Sequence, residues 1–246
     1  MATVFEAKEP AVRLAESLNR ELITSVYARA GRIHIRPILS PASAEAIHRC
    51  LTSQIPWQLH LNDGDRPINL AGAQFEELPD ADRARFLQSV YACAGQRFQY
   101  LFNSFPISDI YERGEHRSLY VMRLYEFLNS SEFLNFAREI TGIRSIALTD
   151  AQATLYRPGH FLTHHDDLIR DKKRVAAYVL NFTPTWVTDW GGILQFIAED
   201  GHLAEGYTPT FNALNLFRVP QLHAVSYVAP FAQAGRLSIT GWLREA

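Results

Sequence analysis

Cysteine, signal-peptide features and long hydrophobic runs are scarce or absent in this sequence of 246 residues. The only cysteines are Cys50 and Cys93, whose spacing matches no metal or redox motif, so a disulfide-stabilised fold is disfavoured. The first residues, MATVFEAKEP, lack the basic start and the apolar run of a signal peptide. No apolar run reaches the roughly 18 residues of a transmembrane helix. These absences predict a cytoplasmic protein that has no membrane partner.

An excess of charge of one sign is also missing. The chain has 24 basic and 26 acidic residues, a formal net charge of −2, and no basic tail or stripe. A nucleic-acid partner therefore has no electrostatic support. With 47% hydrophobic and 20% charged residues, the composition is that of an ordinary globular protein. A chain of this length can bury a core without a disulfide or a structural metal.

Hydrophobic patterns of helical period dominate the chain up to about residue 142. Apolar residues recur every three or four positions, and a serine followed by proline marks one helix start. A short stretch instead alternates apolar and polar residues, as a strand does. We therefore predict helices over 10–30, from Ser40-Pro41 through Leu51, and over 80–102, 116–128 and 130–141, with a strand over 32–39.

After Gly142 the pattern changes to short strands separated by turn signals such as Pro158-Gly159. Strands without crossover helices indicate an antiparallel sandwich or barrel, such as a jelly roll. We predict eight strands, at 143–148, 150–157, 161–166, 173–182, 192–198, 211–218, 223–229 and 235–243.

No Pro/Gly/Ser-rich linker lies at the change of pattern, so we predict a single domain over residues 1–246. Its class is α+β, mostly β with helical support. Residues 1–142 form a mainly helical supporting region, and residues 143–246 form the jelly-roll core.

Potential metal ligands are concentrated in the segment LYRPGHFLTHHDD, which spans residues 155–167. In a strand, residues i and i+2 share a face. His164 with Asp166, or His165 with Asp167, would therefore present an imidazole beside a carboxylate. Such a pair is two thirds of the 2-His-1-carboxylate triad that holds non-haem Fe(II).

A third ligand has to come from elsewhere in the chain. His223 is the best candidate, because it begins a late strand after the turn at Pro220. The alternative interpretation is a polar loop in which histidine and aspartate cluster without function.

The last predicted strand, RLSITGWL, has one apolar and one polar face. Arg236, Ser238, Thr240 and Trp242 alternate on the polar face. An arginine that faces an interior is costly unless an anion binds it. Arg236 can donate two parallel hydrogen bonds to a carboxylate in a bidentate pair, and Ser238 or Thr240 can donate a further one. Iron ligands together with a carboxylate anchor suggest a 2-oxo acid that chelates the iron.

As an ordered set over about residues 145–244, these motifs resemble the Fe(II)/2-oxoglutarate-dependent dioxygenases, and among them the prolyl-4-hydroxylase-type branch. The run THHDDLIRDKKRVAAYVLNFT is most similar to the ribosomal-protein prolyl hydroxylases. The motifs are His165-x-Asp167, His223-Ala-Val, Arg236 with Trp242 six residues later, Tyr156-x-Pro-Gly, Tyr178-Val-Leu-Asn181 and Trp190-Gly191-Gly192.

The resemblance implies the jelly-roll (double-stranded β-helix) fold and a metal site made of His165, Asp167 and His223, which are also the catalytic residues. His164 and Asp166 would then point the other way. The implied cofactor is Fe(II), with 2-oxoglutarate and O₂ as cosubstrates, succinate and CO₂ as products, and ascorbate as a candidate reductant.

One position departs from the family pattern. A tyrosine that binds 2-oxoglutarate commonly precedes the Leu-Asn pair, where this chain has Val179. Tyr178 is adjacent and therefore lies on the opposite face. We expect Tyr156 to supply the phenol instead, because it shares a strand face with Gln152 and Thr154. The residues expected to bind the cosubstrate are Arg236, Tyr156, Thr240, Ser238 and Trp242.

The resemblance implies hydroxylation of a prolyl residue in a protein or peptide. The same chemistry on a free amino acid or other small metabolite is the alternative. A third class is a non-catalytic jelly-roll binding module. A nucleic-acid demethylase of the same superfamily is disfavoured, because Trp242 stands where those enzymes have a second arginine. The sequence leaves the oligomeric state open.

Overall fold

The computed structural model describes residues 9–63 and 66–246, which contain seven α-helices and thirteen β-strands. The helices are α1 Arg20–Ala30, α2 Pro41–Ser53, α3 Gly72–Glu76, α4 Asp80–Ala94, α5 Ile107–Glu112, α6 Tyr120–Leu128 and α7 Ser131–Thr141. The strands are β1 Arg32–Ile35, β2 Gln58–Asp63, β3 Arg66–Ala71, β4 Tyr100–Phe105, β5 Ile146–Thr149, β6 Gln152–Tyr156, β7 Phe161–His165, β8 Arg174–Asn181, β9 Leu194–Ile197, β10 Leu203–Tyr207, β11 Ala213–Arg218, β12 His223–Val225 and β13 Arg236–Glu245.

The strands form one antiparallel sheet that curls into a nearly closed barrel. Its order is β1-β11-β8-β13-β6-β4-β7-β12-β9-β10. The β2–β3 hairpin is attached to β4, and β5 is attached to β13. The predicted fold class, a double-stranded β-helix with helices packed on it, is confirmed.

Strand β13 has one face packed against the helices and the other directed into the barrel, as its alternation predicts. Leu237, Ile239 and Leu243 belong to a large apolar core shared with α1, α2, α6 and α7. Arg236 and Ser238 face the barrel interior, where both are buried. The apolar face therefore fixes the strand against the helices, and the polar face is left for the cavity.

Two predicted helix boundaries are confirmed by their caps. The Ser40 side chain accepts the amide of Ser43, with Pro41 at the first turn of α2. Helix α7 begins after Ser130, whose side chain accepts the amide of Phe133, and it ends at Gly142 in the left-handed conformation.

Two helix predictions are wrong in part. The helix predicted over 10–30 begins only at Arg20, because the preceding segment is extended and Leu14 forms a β-bridge with Leu39. The helix predicted over 80–102 ends at Ala94, and Tyr100 begins strand β4. Pairing of β4 with β2, β6 and β7 buries this segment, which outweighs its weak helical pattern.

The predicted division near residue 143 does not separate helices from strands. Strands β1 to β4 all lie before it, and β1 and β4 pair with core strands β11 and β6. Each of the eight predicted strands overlaps an observed one, whereas β2, β3, β4 and β10 were not predicted. None of the described helices has the length and hydrophobicity to cross a membrane.

Candidate active site

Three predicted ligands meet at one end of the barrel. His165 ends β7 and His223 begins β12, and the two are direct partners in the antiparallel ladder. The Oδ1 atom of Asp167 lies 3.3 Å from Nε2 of His165, and its Oδ2 lies 3.4 Å from Nε2 of His223. One donor atom from each residue lies within 4.8 Å of the others. The strand pairing thus brings together residues that are distant in sequence.

Backbone carbonyls select the tautomer of both imidazoles. Nδ1 of His165 donates to the Thr163 carbonyl at 3.1 Å, and Nδ1 of His223 donates to the Gln221 carbonyl at 2.7 Å. Because a carbonyl can only accept, each Nδ1 carries the proton and each Nε2 keeps its lone pair. That lone pair is what a metal ligand needs, and the carbonyl also fixes the ring orientation.

The Asp167 carboxylate is turned inward by an unusual backbone. Its φ is +63°, a left-handed conformation that aspartate tolerates better than most residues. Arg174 supports the turn: its Nη1 donates to the Asp167 carbonyl at 3.4 Å and lies 4.0 Å from Oδ1. The guanidinium carbon of Arg174 also stacks 3.4 Å from the ring centroid of Trp242. Sequence analysis missed Arg174.

The charge states suit metal binding. Burial lowers the pKa of His223 to about 4, and the neighbouring His165 adds to the effect, so the ring is neutral at neutral pH. Burial by itself raises the pKa of Asp167. The adjacent imidazoles of His165 and His223, which attract the carboxylate whenever they carry an additional proton, outweigh that effect and hold the pKa of Asp167 below the usual value. Two imidazoles and one carboxylate are the donor set of a non-haem Fe(II) triad.

The other side chains of the histidine-rich segment point elsewhere. His164 and Asp166 are exposed. His160 is buried away from the triad, and its Nδ1 has no partner in the described part of the chain. The structure therefore orients the segment as the resemblance implies, with His165 and Asp167 inward.

A cavity with a largely apolar wall and a few polar side chains runs from the triad into the barrel. Arg236 is 2% exposed, and its side chain has no carboxylate partner in the described residues. The guanidinium carbon lies 5.1 Å from the ring centroid of Tyr156, which is its neighbour on β6. Burial lowers the pKa of Arg236, and the Tyr156 phenol partly opposes this. The cavity wall also includes Thr240 and Trp242.

The structure shows what the valine at position 179 changes in the cavity. Val179 lines the cavity, where its methyl groups can donate no hydrogen bond. Tyr178 also borders the cavity, but its side chain belongs to the helix-side core: its hydroxyl donates to the Asp150 carbonyl at 2.7 Å, and its ring contacts Phe133. Tyr156 is the phenol that shares the cavity with Arg236.

Buried polar atoms without partners test whether this cavity fits an anionic cosubstrate. Within the described residues, Nε of Arg236, which lines the cavity, and Oγ of Ser238, two residues later on the same strand face, have no hydrogen-bond partner. Buried polar groups without hydrogen bonds destabilise the folded protein unless a ligand or a water molecule supplies the missing partner. A dicarboxylate bound to Arg236 would supply hydrogen-bond partners to these buried groups, so the residues fit 2-oxoglutarate.

An aromatic wall beside the triad was also missed. Ring centroids follow one another from Phe98 to Tyr100 at 5.7 Å, to Phe102 at 5.4 Å and to Tyr156 at 5.0 Å. Phe98, 43% exposed, also contacts the His165 ring at 5.4 Å. The aromatic residues at alternate positions were a strand signal, which the longer helical pattern before them obscured.

Comparison with known proteins identifies relatives of the core. The sequence profile of the 2OG-Fe(II) oxygenase superfamily matches residues 151–244. Over 118 residues the chain is 30% identical to prolyl 3-hydroxylase OGFOD1 of Mus musculus, a match that covers 45% of this chain and 21% of the mouse protein. The chain therefore spans about a fifth of that relative's length.

Solved structures share the fold. A prolyl-4-hydroxylase of Pseudomonas putida superimposes with a TM-score of 0.51 and 16% identity, over 92% of this chain and 99% of that chain. A prolyl hydroxylase from Trichoplax adhaerens, solved with a hypoxia inducible factor peptide fragment, gives a TM-score of 0.61 and 14% identity, over 92% of this chain and 89% of that chain. The resemblance to 2-oxoglutarate oxygenases of the prolyl hydroxylase type is confirmed.

Proposed function

We propose that this chain, whose residues 151–244 match the 2OG-Fe(II) oxygenase superfamily, is a 2-oxoglutarate-dependent dioxygenase that hydroxylates a prolyl residue of a protein or peptide. The observation that carries the proposal is the convergence of His165, Asp167 and His223 on the wall of a cavity that is also lined by the buried, unpaired Arg236. In the proposal these three residues hold Fe(II).

When bound, Fe(II), 2-oxoglutarate and O₂ supply the oxidative decarboxylation of the cosubstrate to succinate and CO₂, coupled to hydroxylation of a C–H bond. The protein's part is geometric and electrostatic. The two Nε2 atoms and the Asp167 carboxylate would hold the metal as three protein ligands, a donor set that leaves sites for the cosubstrates. The carbonyls of Thr163 and Gln221 keep the imidazoles in the required tautomer and orientation.

The remaining cavity residues bind and orient the cosubstrate. Arg236 neutralises its distal carboxylate, and Thr240 and Tyr156 offer hydroxyl donors on the same wall. Trp242 lines the cavity near the metal ligands, and the stacked Arg174 holds its ring in place. The apolar lining, including Leu162 and Val225, limits the access of water to the reacting groups.

The relatives support a prolyl substrate. The mouse relative is a prolyl 3-hydroxylase, and the Trichoplax enzyme was solved with a peptide fragment. Both names favour a prolyl residue within a polypeptide over free proline. The proposal extends to ascorbate as reductant and to a cytoplasmic location, both of which rest on the sequence alone.

The first test measures succinate formed from 2-oxoglutarate in the presence of Fe(II) and O₂, with prolyl peptides and with free amino acids. We expect succinate formation that is stimulated by a prolyl peptide. His223→Ala removes a ligand and should abolish turnover. Arg236→Ala should raise the KM for 2-oxoglutarate by at least about 100-fold, because it removes a buried charge-assisted contact.

His164→Ala is the matched control, because His164 neighbours a predicted ligand but is exposed. Its turnover should equal that of the unmodified protein. Stimulation by free amino acids alone would replace the prolyl peptide by a small metabolite. Failure of the unmodified protein to bind Fe(II) would refute the proposal altogether.

A further inference from the structure

Asn181 is a buried carboxamide that the fold leaves unsatisfied. It ends strand β8 and is 1% exposed. Neither Oδ1 nor Nδ2 has a hydrogen-bond partner within the described residues. A buried polar group without a hydrogen bond lowers the stability of the folded protein, so an asparagine that bonds nothing at this position is a poor structural choice. A ligand that completes the carboxamide would account for it.

The position of Asn181 in the sheet directs it towards the cosubstrate cavity. Alternation along β8 puts it on the same face as Ala177 and Val179, which line the cavity. Its register partner on β13 is Ser238, whose hydroxyl also has no partner. Two residues before Ser238 on the same face is Arg236, with its unpartnered Nε. Three buried polar side chains on adjacent strands thus point their unused hydrogen-bonding atoms into one region.

This region adjoins the end of the cavity away from the metal ligands: Arg236 lines that end, and Ser238 and its register partner Asn181 lie next to it. Trp242 marks the metal end, because Arg174 stacks on it and also donates to the Asp167 carbonyl. Asn181 pairs with Ser238, four residues earlier on β13, on the Arg236 side. A 2-oxo acid that chelates the metal therefore presents its distal carboxylate, not its 2-oxo group, towards Asn181.

We infer that Asn181 is a specificity-determining residue for the cosubstrate, and that its carboxamide binds the distal carboxylate of 2-oxoglutarate beside Arg236. The Nδ2 group donates to a carboxylate oxygen, and Oδ1 accepts from the Ser238 hydroxyl or an Arg236 N–H. Asn181 thereby adds a donor on β8, where Val179 offers none. The inference rests on the proposed function and names a residue of the same site.

The test compares two chelators on the metal-loaded protein under anaerobic conditions, where no turnover occurs. Calorimetry gives the Kd of 2-oxoglutarate, which has a distal carboxylate, and of oxalate, which has none. Asn181→Ala should raise the Kd of 2-oxoglutarate about 10-fold, the equivalent of about 1.4 kcal/mol, and leave that of oxalate within about twofold. Asn181→Asp should weaken 2-oxoglutarate further, because two carboxylates then repel.

Asn103→Ala is the matched control. Asn103 is also a buried strand asparagine, but its register partner Leu155 belongs to the helix-side core. It should leave both Kd values unchanged. Circular dichroism and thermal unfolding verify that each variant folds; if Asn181→Ala does not, Asn181→Ser replaces it in the same comparison.

The outcomes separate the inference from the proposed function. An unchanged 2-oxoglutarate Kd in Asn181→Ala, or an equal loss for both chelators, overturns the role of Asn181 while the unmodified protein still binds the cosubstrate. If the metal-loaded unmodified protein binds oxalate but not 2-oxoglutarate, the proposed function itself fails.

Discussion

At the scale of single residues, the barrel interior keeps polar groups that stability alone would not select. Arg236, Ser238 and Asn181 are all buried with unused hydrogen-bonding atoms. Apolar residues of similar size would avoid the desolvation cost. Their concentration on one face of two neighbouring strands indicates that this part of the protein is shaped for a ligand.

Arg174 has two opposite effects on metal binding, one through its positive charge and one through the orientation that it gives to Asp167. Its guanidinium lies close to the Asp167 carboxylate, so its charge by itself disfavours a divalent cation nearby. Yet it also donates to the Asp167 carbonyl and so supports a left-handed backbone that would otherwise be strained. We expect orientation to dominate, because an unsupported ligand loses the geometry on which coordination depends.

Arg174→Gln should therefore weaken metal binding about 10-fold, measured by anaerobic Co(II) or Fe(II) titration. Arg174→Lys keeps the charge but loses the planar stack on Trp242, and it should weaken binding as well. Arg170→Gln is the control, because Arg170 is exposed in the short turn that precedes β8. Tighter metal binding by Arg174→Gln would mean that charge, not orientation, is the main contribution of this arginine.

At the scale of elements, strand β13 carries both the core and the site. Its apolar face packs on the helices and its polar face lines the cavity, so any shift of the strand displaces Arg236 and Trp242 together. Gly241 permits its closest approach to a neighbour. A Cβ on Gly241 would lie 1.9 Å from the Asp150 carbonyl oxygen and 2.7 Å from the Tyr178 hydroxyl.

Gly241→Ala should lower the free energy of unfolding by about 3 kcal/mol, because the backbone oxygen of Asp150 cannot yield as a flexible side chain would. Urea unfolding measures the loss. Gly95→Ala provides the comparison: the nearest atom to its Cβ is 3.7 Å away and its backbone is helical, so stability should stay within about 1 kcal/mol. Similar stabilities for the two variants would refute the close contact.

At the scale of the whole molecule, the barrel buries a histidine that takes no part in the site. His160 is 8% exposed, and burial lowers its pKa to about 4. The unfolded chain binds a proton near the ordinary histidine pKa of about 6.5, whereas the folded protein does not until pH 4. The stability associated with neutral His160 is therefore complete above pH 6.5 and declines as the pH falls towards 4.

His160→Gln should reduce this pH dependence. Relative to pH 7, the unmodified protein should lose about 3 kcal/mol more than the variant by pH 4, as measured by urea unfolding of the metal-free protein. His202→Gln, at an exposed position, should retain the full dependence. Parallel stability curves for His160→Gln and the unmodified protein would show that His160 is protonated in the folded state as readily as in the unfolded one.

Local signals in the sequence were sufficient for a large part of the fold. The cap at Ser40 and the left-handed Gly142 lie within one turn of the helices they bound. The two faces of β13 follow from alternation within one strand. Each of these features depends on residues that are close in sequence, so it can be predicted without knowledge of the tertiary structure.

Features that depend on distant contacts required the tertiary structure. Strand β4 was predicted as the end of a helix, because only its pairing with β2, β6 and β7 makes it a strand. The same pairing places Phe98 against His165.

The roles of Arg174 and Asn181 were likewise invisible in the sequence. Their partners Trp242 and Ser238 lie on another strand. The sequence by itself determined which residues share a face and which chemistry they could perform. Only the tertiary structure decided which faces meet, because strand order and register are set by burial summed over the whole barrel.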